Sequence, residues 1–242
     1  FKFFPDVLKT GEITIKPLEA GHAAVMPMLI RSKRGVDEEG AKTLLPEVRA
    51  VAGKFPQDAA VLSELAEAEY DAGNDQAAIT AADQALAIEP NNINALLQKA
   101  YAMLRLTENA DDDADEKRWA KVRAQFVKVN KIENDHPIPL VNFYRTYIEE
   151  GRTPPKTAMD GLEWALQLAP FDVGLRMNVA QQQLGAERYA AAIETLKPLA
   201  YSPHDAELAS AALELIEAAK TASTATLDEG AGEESGDSEG TE

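Results

Sequence analysis

Three histidines, His22, His136 and His204, lie in separate segments, and none stands one helical turn from another. A zinc-binding HExxH pair requires that spacing, so the sequence holds no such metalloprotease motif, nor the GxSxG of a serine nucleophile elbow. There is no cysteine, which removes thiolate nucleophiles, zinc–thiolate sites and disulfides without identifying a compartment. The stretch GVDEEGAKT, Gly35 to Thr43, is one residue off a phosphate-binding loop. Its three acids would repel phosphate and no buried apolar strand leads into it, so that reading is rejected. The run Asp111, Asp112, Asp113, Asp115 and Glu116 approximates a calcium loop, but it lacks glycine at the sixth position and has Val122 where the twelfth needs a carboxylate. It reads as a solvated loop with only weak, nonspecific affinity for divalent cations. With 41 acidic side chains, carboxylate pairs arise by chance and identify no general acid or base. The chain is read as non-catalytic, with no metal and no cofactor.

The elements that would position any site are read from composition first. The chain has 242 residues, 45% of them hydrophobic but only 6% aromatic. Alanine, leucine, glutamate and glutamine dominate, which favours thin layers of closely packed helices. A formal net charge of −17 sets the surface against phosphate backbones and anionic bilayers, so neither nucleic acid nor membrane is expected as a partner. No apolar run approaches the roughly 20 residues that span a bilayer. The chain opens on Phe1 with no signal-peptide pattern, and reads as processed or excised from something longer.

One segment is unusually regular, Asp58 to Asn92. Its first half places Val61, Leu62, Leu65, Ala66 and Tyr70 on one helical stripe. Gly73-Asn74 supplies a left-handed stop, and Asp75 is expected to cap the next helix. The second half places Ala78, Ile79, Ala82, Ala85 and Leu86 on a second buried face before Pro90 ends it. Prolines then mark a period: Pro56 precedes Pro90 by 34 residues, and Pro170 precedes Pro203 by 33. Between Pro90 and Pro170 the 80 residues hold two periods and twelve extra, about ten in TENADDDADEK and two in GRTPPKT.

These residues resemble the tetratricopeptide repeat. With Pro90 at repeat position 32, Leu62 falls at 4, Leu65 at 7, Ala66 at 8, Gly73 at 15, Ala78 at 20 and Ala85 at 27. Small residues at 8, 20 and 27 let neighbouring helices approach closely. Glu69 stands where the family prefers an aromatic. A second repeat, Asn92 to about Asp135, carries Leu96, Ala100 and Leu104 on one helix and Trp119, Val122, Phe126 and Val129 on the other. A third, about Pro137 to Pro170, places Tyr144 at position 8, which is large for that place. A fourth, Asp172 to Pro203, lacks glycine at its turn. The resemblance implies an all-α, right-handed superhelical solenoid of helical hairpins. Residues 1–20 form an extended lead-in, including the alternating stretch Ile13 to Leu18, and 21–56 a degenerate leading repeat broken at Pro46. Repeats occupy 57–203, a capping helix 204–220 with Leu208, Ala212, Leu215 and Ile216 on one side, and 221–242 a disordered acidic tail.

In that family the first helix of each repeat lines a concave groove. Carried over, position 6 holds Glu64, Gln98, Asn142 and Asn178, position 9 holds Glu67, Tyr101, Arg145 and Gln181, and Arg105 and Met177 share the face. Such a ladder suits an extended peptide, because side-chain amides pair with a backbone in both directions. Ser63 and Glu67 stand where some members place a clamp for a C-terminal carboxylate, so that mode is disfavoured. The expected function is a protein- or peptide-binding scaffold. The alternative is the non-catalytic repeat region of a bacterial enzyme, since RSKRGV ahead of repeats resembles bacterial proteins with an upstream metallopeptidase-like domain. Self-association is a third possibility.

Overall fold

Helix starts follow from side chains that accept hydrogen bonds from the first turn, where backbone N–H groups lack partners. In the computed structural model, Asp37 accepts from Gly40, Asp58 from Ala60 and Val61, Asn92 from Ala95, His136 from Ile138, and Asp172 from Leu175. The structure describes residues 20–33, 35, 37–110, 116–202 and 205–233, with side chains to residue 224. Among the described residues the regular elements are all helices: α1 (Ala20–Ser32), α2 (Glu38–Lys54), α3 (Ala59–Asp71), α4 (Asp75–Ile88), α5 (Ile93–Glu108), α6 (Glu116–Ile132), α7 (Pro137–Glu149), α8 (Lys156–Leu168), α9 (Val173–Gly185), α10 (Tyr189–Ala200) and α11 (Ala206–Glu233). The expected lead-in and the Ile13 to Leu18 stretch lie outside the described residues, as does most of the acidic run at Asp111.

Helix ends follow from one repeated turn. After α3 the N–H of Gly73 bonds the carbonyl of Tyr70, and that of Asn74 bonds Glu69. After α7 Gly151 bonds Ile148 and Arg152 bonds Tyr147, and after α9 Glu187 bonds Leu184 and Arg188 bonds Gln183. The central residue must turn left-handed, with φ of 82° at Gly73, 71° at Gly151 and 57° at Glu187. Thus the fourth repeat keeps the geometry without the glycine, and Glu187 carries the strain. Asp75 does not cap α4: Asn74 holds the cap position without a side-chain capping bond, and the Asp75 carboxylate turns to Arg105 instead.

The chain divides into two compact units between Asn109 and Ala110, inside the second repeat. In the first unit α1 packs on α2 and α3, α3 on α4, and α5 on both α3 and α4. Val25, Leu44, Val48, Val51 and Val61 fill one core, and Leu62, Ala66, Ala81, Ala82, Ala85 and Ala95 the next. Ala66, Ala78 and Ala85, the small residues of the repeat pattern, are fully buried. Pro46 does not break α2, contrary to the sequence expectation. It lies on the solvent face, while Leu44, Leu45, Val48 and Val51 continue one buried stripe past it. Burial of that stripe outweighs the roughly 3 kcal/mol that an interior proline costs.

In the second unit α6 packs on α7, α7 on α8, α8 on α9, α9 on α10 and α10 on α11. Leu162, Ala165, Leu175 and Val179 form one core. Ala180, Leu196 and Leu199 form another with Ala212 and Ile216 of α11, flanked by Leu208 and Leu215. The last helix runs on to Glu233, beyond Lys220 where the sequence reading stops it and starts a disordered tail. Residues 234–242 lie outside the described residues.

Candidate functional site

The eight residues that the repeat pattern places on a partner-binding face divide between the two units. In the first unit Gln98 is buried, and its Nε2 donates to Asn94 Oδ1 at 3.1 Å. Asn94 Nδ2 in turn donates to Glu67 Oε2 at 3.1 Å, and Glu67 pairs with Lys33. This polar chain ties α5 to α3 and to the end of α1. Arg105 is equally engaged: Nε bonds Asp75 Oδ1 at 2.8 Å and Nη2 bonds the Tyr70 carbonyl at 2.6 Å. Its guanidinium lies 3.9 Å from the Tyr70 ring centroid, and that ring is 5.8 Å from the ring of Tyr101. Burial, then Tyr70 and Glu67, push the Tyr101 hydroxyl up to about 12. The sequence reading set Gln98, Tyr101 and Arg105 facing a ligand. The structure engages Gln98 and Arg105 in bonds within the unit and Tyr101 in ring contact with Tyr70.

In the second unit the pattern is different. A groove of about 570 Å³ opens between α7 and α9, with α8 beneath and the Thr153–Pro154 loop at one end. Arg145, Asn178 and Gln181 all line it. Asn142 does not; its Nδ2 folds back to the Ile138 carbonyl at 3.0 Å. Met177 packs against the core shared by α9, α10 and α11. So three of the five residues expected here converge.

At the groove the sequence departs from the repeat pattern. Position 8 is Ala66 in the first repeat, Ala100 in the second and Ala180 in the fourth, all fully buried. In the third it is Tyr144, half-buried against the Leu162, Ala165, Leu175 and Val179 core. A phenol is far bulkier than the alanines of the other repeats; α3 and α5 pack directly against each other, whereas α7 and α9 make no comparable contact. Val141, Ile148, Met159 and Leu162 give the groove an apolar floor. Its lining holds one cation, Arg145, and no carboxylate, in a chain whose net charge is −17. Arg145 Nε meets Glu149 Oε1 at 3.2 Å across an exposed turn of α7, a pairing of the kind worth about 0.3–0.5 kcal/mol. Burial raises the Tyr144 hydroxyl above its ordinary value.

Sequence reasoning missed Tyr144, Ile148, Met159 and above all Gln182. Gln182 lies in the run Gln181-Gln182-Gln183, where only the first was expected to face a partner. The signal available was a polar side chain at a helix position turned inward. Elsewhere among the described residues no three His, Cys, Asp or Glu side chains come together as a metal site. No described helix is long and apolar enough to cross a membrane. From Asp37 onward the rejected phosphate-loop segment forms the cap and first turns of α2.

No family model matches the chain, and no curated protein matches it by sequence. Solved structures do match in fold. TTC0263, a thermophilic TPR protein of Thermus thermophilus, superposes with a TM-score of 0.62 at 16% identity, over 81% of this chain and 99% of that one. PilF of Pseudomonas aeruginosa gives 0.62 at 16%, over 86% and 90%. YrrB, described as a TPR protein with an unusual peptide-binding site, gives 0.53 at 14%, over 72% and 91%. At sequence identities this low the likeness is one of fold alone, and the chain has the tetratricopeptide-repeat fold.

Proposed function

We propose that the chain is a protein-interaction module that takes an extended peptide segment of a partner protein into the α7–α9 groove. The observation that carries this reading is the convergence of Arg145, Asn178 and Gln181 over an apolar floor in an open groove of about 570 Å³. Grooves of roughly 300–1,000 Å³ with an apolar lining and a few convergent polar groups are the usual form of a binding site. Amides on the rim supply donors and acceptors to a peptide backbone, and the floor takes a side chain. The description of YrrB as a peptide binder supports a peptide as the ligand class on this fold.

The test is selection of binders from a displayed random-peptide library with the whole chain as bait. Selected peptides should lose tenfold or more in affinity on Arg145→Ala with Asn178→Ala, with helical circular dichroism unchanged. If no selected peptide responds to that double substitution, this groove is not the docking surface.

A further inference from the structure

Alanine holds repeat position 8 in the first, second and fourth repeats, and Tyr144 holds it in the third. Tyr144 packs against the Leu162, Ala165, Leu175 and Val179 core, and the same side chain lines the α7–α9 groove. A phenol joins an apolar body to a polar tip, and that tip usually finds a hydrogen-bond partner when protein surrounds it. The Tyr144 hydroxyl has no such partner among the described residues; burial alone acts on it. The side chain is only half-buried, and the groove beside it is open. Arg145, Thr153, Asn178 and Gln181 share the lining, each able to donate a hydrogen bond, and no carboxylate is there to accept one.

We infer that the Tyr144 hydroxyl is the recognition donor of the groove: it donates to a main-chain carbonyl of an uncharged, proline-rich segment of the partner, whose rings and apolar side chains cover Val141, Ile148 and Met159. This rests on the peptide-groove reading and deepens it by naming the ligand class and the residue that selects it. A polyproline II segment has no internal hydrogen bonds and few N–H groups, so its carbonyls are free to accept. A lining of donors suits such a segment, and grooves that present an aromatic ring are its usual docking sites. An ordinary extended strand also brings N–H groups, which need acceptors. Charge argues the same way. With no carboxylate in the lining a lysine gains no partner there, and the net charge of −17 opposes an acidic segment. The one cation of the lining, Arg145, is already paired with Glu149.

Tyr144→Phe keeps the ring and its packing and removes the hydroxyl alone. No hydrogen bond within the described chain is lost, so the melting temperature should stay level. Affinity for a groove-bound peptide should fall about three- to tenfold, the loss of one neutral hydrogen bond. A side chain that served packing alone would leave the affinity unchanged as well.

The probe is the tightest library-selected peptide that responds to Arg145→Ala with Asn178→Ala, acetylated and amidated, labelled for fluorescence anisotropy against the full chain. Peptides selected by that criterion should be enriched in proline and poor in charge. A set of variants of the probe carries a single thioamide at successive residues, each replacing one carbonyl oxygen by sulfur, a weaker acceptor. One thioamide variant should bind wild type as weakly as the parent peptide binds Tyr144→Phe, and should lose nothing further on that variant. If the groove-dependent peptides show no excess of proline, if the parent binds both proteins alike, or if every thioamide variant loses equally on both, the Tyr144 role fails while the peptide groove stands. If the library yields no groove-dependent peptide at all, the groove reading fails and the Tyr144 role with it.

Discussion

Arg123 Nη1 stands 2.7 Å from Glu150 Oε2, joining the middle of α6 to the end of α7, and each side chain is only 8% exposed. The guanidinium also lies over the Tyr147 ring at 4.4 Å, and Arg152 approaches the other carboxylate oxygen at 3.6 Å. A buried pair of this kind adds little net stability against an apolar replacement, but removing one partner strands the other charge. Glu150→Ala should lower stability by about 3–5 kcal/mol, and Arg123→Met with Glu150→Leu should recover most of it. Both tryptophans, Trp119 and Trp164, lie in the second unit, so tryptophan fluorescence in urea reports this unit directly. Equal losses in the single and the double variant would contradict the argument.

Glu187 occupies the left-handed turn position that glycine holds at 73 and 151, with φ of 57°. A side chain there costs about 1–2 kcal/mol, partly offset by the extra freedom a glycine brings to the unfolded chain. Glu187→Gly should raise the urea midpoint of the second unit, by up to about 1 kcal/mol in stability. A lower midpoint would mean that the Glu187 side chain makes a contact worth more than its strain.

Glu64 gives the first unit a pH dependence. Burial first, then the neighbouring Glu67, push its carboxyl from 4.5 up to about 7, against the pull of Lys33. Asp71, also raised by burial and by Glu67, shares the small cavity under α1 with Ser32, and α2 contributes only Ala41, Leu44 and Val48 there. Below pH 4.5 Glu64 is protonated in both folded and unfolded chains, so it imposes no penalty. Between 4.5 and about 7 the folded chain keeps a proton that the unfolded chain has released, so stability falls as pH rises; above about 7 the loss is complete. Glu64→Gln carries no such charge. Its stability relative to wild type should be level below pH 4.5, climb to about pH 7 and then plateau, with amide-exchange protection of α1 following the same curve. A flat difference across that window would remove Glu64 as its source.

Ala66 is fully buried where α3 meets its neighbours, at the position that Tyr144 fills in the third repeat. Adding three carbons where no groove exists forces neighbouring helices apart. Ala66→Leu should cost about 1–3 kcal/mol, read from urea unfolding followed by far-ultraviolet circular dichroism. A neutral result would show slack between these helices that their burial does not suggest.

The comparison of Ala66 with Tyr144 also marks how far the sequence could be read. Helix pairs, the stops at Gly73 and Gly151 and the small contact residues are local signals, each spanning a few residues. They sufficed for the fold. Glu69 shows the limit: it replaces the expected aromatic because Arg49 reaches it from α2, with Nε and Nη2 at 2.7 and 2.8 Å, and Asn74 adds a third bond at 3.0 Å. Those partners lie on either side of it in the chain, and no spacing rule connects them.

The same limit governs the site. A polar residue at a groove-facing position has the same letter whether it awaits a ligand or is held by its own fold. Arg105 is held, by Asp75 thirty residues earlier; Arg145, paired with Glu149, and Gln181 line the groove; Gln182, one residue along, is a buried acceptor that periodicity assigned to neither face. Sequence determined that helices would pair and where the repeat turns fall, because those outcomes depend on short stretches of backbone. Tertiary packing decided which polar groups are satisfied internally and which are left open, because hydrogen-bond partners are chosen across helices and not along short stretches of chain.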